Sequence, residues 1–195
     1  VQTERERMLA GEFYEPRDPE LLALAHRARA LLARFGATPS TDGEGRRALL
    51  EELLGEVGPG VWVEPPFFCD YGAHVAIGAH TFANVGCVLL DSAPIRIGAR
   101  GLLGPGVQLL TATHPASAAE RRVPGWTPES GRAPYRTRAA PITIGDDVWL
   151  GAGTIVLAGV TIGDNVTVGA GSVVTRDLPS GVLAHGSPCR VRRRL

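Results

Sequence analysis

An excess of charge of one sign, an apolar run of membrane-spanning length and closely paired cysteines are all missing from this sequence. Twenty basic residues balance twenty acidic ones across 195 residues. A net charge of zero argues against nucleic acid or an anionic membrane as the main partner. The one basic cluster, Arg190, Arg192, Arg193 and Arg194, stands at the end of the chain. No apolar stretch is long enough to span a bilayer and no signal-peptide pattern is present, so the chain reads as cytoplasmic. Its three cysteines, Cys69, Cys87 and Cys189, show no CxxC spacing and make neither a disulfide framework nor a zinc site. No metal is expected.

What is present divides into two parts, a helical segment over residues 1–60 and a repeat domain over 61–195. A short helix is predicted across Glu4 to Ala10, ending at Gly11. Asp18-Pro19-Glu20 reads as an N-cap followed by proline at the first helical position, and Leu21, Leu22, Ala25, Ala28, Leu31 and Leu32 then recur at helical spacing until Gly36. Thr41 and Glu44 form a capping-box signal ahead of Leu49, Leu50, Leu53 and Leu54. The last two helices are expected to pair as a hairpin.

From about Val61 the period is six. Aliphatic residues open successive hexads at Ile144, Leu150, Val156, Ile162, Val168 and Val174, and glycine follows four of them. The fifth positions hold Val148, Thr154, Val160, Val166, Ser172 and Leu178. An earlier block runs through Tyr71, Ile77, Ala83 and Leu89, slips by two residues, and resumes at Ile97, Leu103 and Leu109. Such a repeat is the signature of a parallel β-helix with three hexads to a coil. First positions point inward, fifth positions fill the corners, and glycine after the first position is read as permitting a tight bend. Cys69 and Cys87, eighteen residues apart, would both occupy fifth positions on adjacent coils, with backbones about 4.8 Å apart. Two small buried side chains is the preferred reading of that pair over a disulfide. A stretch over 112–141, rich in Pro, Arg, Ala and Gly, has no period and is predicted to be a long inserted loop, functional or disordered.

Five histidines are candidates for proton transfer. His74 and His80 fall on fourth positions and read as solvated corners, His26 as a helix-surface or packing residue, and His185 as part of the tail. His114 stands where the long loop leaves the helix, with Pro115 restricting its backbone. Position alone leaves a catalytic and a structural role for it equally open.

The chain resembles the maltose and galactoside O-acetyltransferases, with their nodulation relatives, of the left-handed hexapeptide-repeat superfamily. The resemblance is carried by Met8-Leu9-Ala10-Gly11-Glu12, Val63-Glu64-Pro65-Pro66-Phe67, Phe82-Ala83-Asn84, Thr111-Ala112-Thr113-His114-Pro115, Ile142-Thr143-Ile144-Gly145-Asp146-Asp147-Val148-Trp149 and Gly169-Ala170-Gly171-Ser172-Val173-Val174-Thr175. It implies a mainly β, left-handed parallel β-helix capped by the helical segment. Parallel crossovers are right-handed by default, so the left hand comes from the resemblance alone.

The activity implied is acetyl transfer from acetyl-CoA to a hydroxyl of a sugar such as maltose, glucose or a galactoside, with His114 as general base. Asn84, Asp70 and Asp91 are implied on the acceptor side, although a hydrogen-bonded turn role for either aspartate weighs equally. Ala152, Ala170, Thr175 and Arg176 are implied along the pantetheine arm. Arg190 and Arg193 match arginines at the nucleotide end of CoA, and Trp149 either flanks the arm or packs at the loop's return. His185 is a possible neighbour of the cofactor. The family forms homotrimers with active sites between subunits. This chain departs from the family in a longer loop, in Pro16 where galactoside enzymes carry an aspartate, which leaves neighbouring Glu15 or Asp18 as its substitutes, and in Ser92 where they carry a second one; all three bear on the acceptor. A non-sugar acceptor such as a xenobiotic alcohol or a lipo-oligosaccharide is the nearest alternative. A hexapeptide-repeat carbonic anhydrase, needing three convergent histidines, and a non-catalytic scaffold stand further off.

Overall fold

The structure, a computed structural model, describes residues 2–195. Three helices open the chain: α1 over Glu4–Leu9, α2 over Pro19–Ala37 and α3 over Gly43–Leu53. Thr3 and Glu6 cap α1 reciprocally, and Asp18 caps α2 by accepting from the Glu20 amide, with proline in the first turn as expected. The cap of α3 is Asp42, which accepts from the Gly45 amide, and not the Thr41–Glu44 box read from the sequence. A carboxylate three residues ahead of a glycine amide satisfies an otherwise unpaired N–H at least as well as threonine. Helices α2 and α3 pack together as a hairpin and close one end of the solenoid through Leu31, Phe35, Leu50 and Leu53.

The remainder winds as a triangular prism of parallel strands. Face I carries Glu56–Val57, Val75–Ile77, Ile95–Ile97, Ile142–Ile144 and Thr161–Ile162. Face II carries Trp62–Val63, Phe82–Ala83, Leu102–Leu103, Trp149–Leu150, Thr167–Val168 and Val182–His185, with Arg190–Arg194 added antiparallel at its edge. Face III carries Phe68–Cys69, Val88–Leu90, Gln108–Leu110, Ile155–Leu157 and Val173–Val174. The first strand of face I thus lies ahead of residue 61, inside the segment assigned to the cap. First-position side chains stack down the centre, where Ile77, Leu89, Leu103, Leu109, Leu150, Val156 and Ile162 are almost wholly buried.

The corners show why the repeat has its form. At the corner between faces I and II the fourth-position residues His80, Arg100, Asp147 and Asn165 all have positive φ, between 51° and 57°. At the corner between II and III glycine takes that place, as at Gly153 and Gly171. The tight bend therefore sits at the fourth position, and the second-position glycine serves another purpose. A Cβ added to Gly151 would lie 2.5 Å from the Ala170 amide nitrogen of the next coil. Close approach of stacked backbones, rather than bending, excludes a side chain there.

Coil length is not uniform. Val75 pairs with Ile95, and Phe68 with Val88, twenty positions on, whereas Thr143 pairs with Thr161, eighteen on. The two extra residues of each early coil fall at the corner between III and I, at 70–74 and again at 90–94, and the long insertion leaves from that same corner. Two expectations change in consequence. Cys69 is an inward first-position residue paired with Leu89, not a fifth-position residue stacked on Cys87, and all three cysteines are free and buried. His74 is no solvated corner: its side chain is 6% exposed, and Nδ1 lies 2.8 Å from the Asp91 carbonyl oxygen.

Candidate functional site

The inserted segment is an ordered arm. Ala112–Thr113 leaves face III and pairs antiparallel with Arg138–Ala139 on the way back, so the base of the arm is a two-stranded ribbon. A short helix over Ala118–Arg121 and a 3₁₀ turn over Pro128–Ser130 occupy its outer part. The arm docks on the segment between α1 and α2. The Tyr14 amide donates to the Thr137 carbonyl, and the Glu15 carboxylate accepts from the Ala133 amide and pairs with Arg132 at 3.2 Å.

His114 follows directly on the outgoing strand of that ribbon and is exposed. Its Nδ1 lies 2.9 Å from the Arg136 carbonyl oxygen on the returning side. A carbonyl only accepts, so Nδ1 carries the hydrogen and Nε2 of the neutral ring is left as a bare acceptor. The arm thus fixes both the tautomer and the direction of a potential base.

The acceptor-side residues separate. Asp70 and Asp91 lie in the two-residue expansions at the corner between III and I, the corner from which the arm departs. Asp70 is half-buried, and burial together with the neighbouring Asp91 charge pushes its carboxyl up to about 6, with Arg29 opposing. Asp91 is fully buried, and its two carboxylate oxygens accept from the Tyr71 and His74 amides at 2.9 and 3.3 Å. It ties adjacent coils together, which favours the turn-residue reading over contact with a ligand. Ser92, its neighbour, is 4% exposed. Asn84 lies at the other corner, between II and III, and spends its Oδ1 on the Val85 amide at 2.8 Å. Within one chain, then, Asn84 and His114 occupy different edges of the prism.

The residues expected along the cofactor divide in the same way. Ala152 and Ala170 are exposed at the corner between II and III, and His185, exposed on the last parallel strand, stacks above Gly169 on that line and pairs with Arg190. Arg193 is exposed opposite Leu183. Trp149 projects from the outside of face II, 51% exposed, in register with Leu102 and Thr167. Thr175 and Arg176 lie at the corner between III and I. There Thr175 borders a groove of about 640 Å³ that runs from Thr113, Arg138 and Pro141 at the base of the arm past Leu157 and Ala158.

Comparison with known proteins places the chain. The profile of the maltose acetyltransferase hexapeptide capping motif matches residues 7–58, and that of the bacterial transferase hexapeptide (six repeats) matches 141–176. Nodulation protein L of Rhizobium meliloti (strain 1021) is 48% identical over 98% of this chain and 99% of its own. The chain belongs to the hexapeptide-repeat acyltransferases. The crystal structure of a maltose O-acetyltransferase from Clostridium difficile 630 matches this acyltransferase with a TM-score of 0.91 at 40% identity, covering 99% of this chain and 97% of the other. A galactoside acetyltransferase in complex with coenzyme A matches with a TM-score of 0.90 at 34% identity over 100% and 92%.

In this acyltransferase several residues around His114 escape a reading of the sequence. Phe13 and Tyr14 meet the arm only after folding, Glu15, read from the sequence as a substitute for an acceptor-side aspartate, instead holds Ala133 and Arg132 of the arm, and Arg136 contributes a backbone carbonyl, which any residue type supplies. The only local trace is the motif Met8–Glu12 immediately before them.

Proposed function

We propose that the chain transfers acetyl from acetyl-CoA to a hydroxyl of a sugar such as maltose, glucose or a galactoside, with His114 as general base. The observation that carries this reading is the Nδ1 contact to the Arg136 carbonyl, which leaves an exposed Nε2 free to accept a proton. A neutral hydroxyl is a poor nucleophile until that proton is removed. As Nε2 takes it, the hydroxyl oxygen bonds to the thioester carbonyl carbon; the carbon–sulfur bond then breaks, CoA leaves as thiolate and recovers the proton from the imidazolium. The atoms balance with no covalent enzyme intermediate. The thiols are poor rivals as nucleophile, since burial pushes Cys87 up to about 11 and Cys69 higher still.

The donor's long arm fits against Ala152 and Ala170, whose small side chains leave backbone accessible, with Arg176 further along it, and Arg190 and Arg193 supply permanent cations for its phosphates. Thr175 borders the groove that ends at the arm, and Trp149 offers a flat apolar wall. On the acceptor side Asp70 is the carboxylate with a share of its surface open to solvent, and the amide of Asn84 both donates and accepts. Because Asn84 and His114 stand on different edges of one chain, the reading requires a neighbouring subunit, and a homotrimer provides one. An outward ladder of Trp62, Phe82, Leu102 and Trp149 along face II, three of them more than 40% exposed, supports such association.

The test is acetyl-CoA-dependent thiol release with a panel of sugars and unrelated alcohols, wild type beside His114→Ala. General-base catalysis contributes about 10²-fold or more, so the variant should lose at least that in kcat. A loss below about tenfold would remove His114 from the base role. Transfer to simple alcohols but to no sugar would move the acceptor class.

A further inference from the structure

We infer that Phe13, in the segment between α1 and α2, is a positioning residue for the base: its ring holds Arg136 and so holds the carbonyl that sets the tautomer of His114. This rests on the reading of His114 as general base. The Arg136 guanidinium lies over the Phe13 ring, 3.8 Å from its centroid, and Arg138 approaches the same ring at 5.9 Å. The Arg136 carbonyl is the partner of Nδ1 at 2.9 Å. The Tyr14 amide, one residue on from Phe13, donates to the Thr137 carbonyl, the next along the arm. The peptide unit that orients the imidazole is therefore gripped from both ends by two consecutive residues of the N-terminal segment.

Chemistry makes the grip consequential. A neutral imidazole is a base at Nε2 only while the hydrogen resides on Nδ1, and the carbonyl is what keeps it there. If Arg136 swings away, the other tautomer becomes accessible, and in that form Nε2 bears the hydrogen and accepts nothing. Thr137 Oγ1, 3.5 Å from Nδ1, is too far to replace the lost acceptor. A guanidinium over an aromatic face is held by electrostatics that an aliphatic side chain of similar bulk does not reproduce. Tyrosine and tryptophan keep that face; leucine keeps only the volume.

Three substitutions separate positioning from packing: Phe13→Tyr, Phe13→Leu and Arg136→Leu, the last leaving the peptide carbonyl in the chain. Steady-state kinetics should show kcat reduced by about tenfold in Phe13→Leu and in Arg136→Leu, with KM for both substrates unchanged, and near wild-type kcat in Phe13→Tyr. In parallel, ¹⁵N NMR of histidine-labelled protein at alkaline pH should report the Nδ1–H tautomer for His114 in wild type and Phe13→Tyr, and a mixture in the other two. The NMR readout stands even if no acceptor is found, so failure of the acyl-transfer reading and failure of the positioning role remain distinct. Wild-type kcat in Phe13→Leu, an equal fall in Phe13→Tyr and Phe13→Leu, or one tautomer in all variants would overturn the inference. Should Phe13→Leu not fold, Arg136→Leu carries the same two measurements.

Discussion

Asp70 shows how a single side chain is set by its surroundings. Its carboxyl is raised from 3.8 to about 6, so the folded state holds a proton that the unfolded chain releases earlier as pH rises. Between those two values the folded state binds more protons, and stability falls as pH increases through that window. Asp70→Asn removes the charge and with it the cost. The variant is expected to melt higher than wild type above pH 6, and the gain should shrink to nothing on acidification below the ordinary aspartate range. Differential scanning calorimetry at several pH values checks this, and a gain that does not vary with pH would refute the assignment. If Asp70 also meets the acceptor, the same variant should raise KM for the acceptor, the usual exchange of stability for function at a binding site.

At the scale of the element, the two roles of glycine part company. Gly36, within α2, has open space around its missing Cβ, so Gly36→Ala should stabilise by about 0.5–1 kcal/mol through helix propensity. Gly151 faces the Ala170 backbone at 2.5 Å from an added Cβ, and Gly151→Ala should destabilise by about 1–3 kcal/mol as two coils are forced apart. Urea unfolding of the two variants measures both, and the same sign for both would defeat the argument. The hexads were readable over Ile144–Val174 because every corner there is minimal, and eighteen residues bring the chain back into register. Earlier in the chain Tyr71 imitates a first position, which hid one of the two-residue expansions and misplaced Cys69 and His74 by shifting their frame. The helices were legible from Asp18-Pro19 and the leucine spacing, since caps and periodicity are local. The docking of the arm on Phe13, Tyr14 and Glu15 was not, because contacts between segments so far apart leave no periodic mark. The place of His114 at the foot of the insertion left its role open and the resemblance carried by Thr111–Pro115 singled it out, but its orientation depends on a backbone carbonyl that no residue type announces.

For the whole molecule, the decisive fact is that one chain divides its proposed machinery between two edges of a prism. His114 stands beside the corner between faces III and I, and Asn84 at the corner between II and III. A ring of three copies related by a threefold axis makes the same heterologous contact three times, bringing an edge of each subunit against a different edge of the next. Light scattering should therefore report three subunits, and a monomer with full activity would rule out a shared site. Mixing sharpens the test. His114→Ala keeps a sound Asn84 edge and Asn84→Ala a sound His114 edge, so under the proposed shared site each variant should lose transfer when assembled alone and regain part of it when the two are mixed. If each site draws one edge from each of two neighbours, random reassembly of equal amounts makes about one quarter of the sites complete. Denaturing and refolding the two variants together should accordingly restore up to that fraction of wild-type transfer, whereas refolding them apart restores none. Continued inactivity of the mixture, in trimers shown to contain both variants, would place the two residues in the same subunit's site, and near wild-type transfer by Asn84→Ala refolded alone would remove Asn84 from the chemistry.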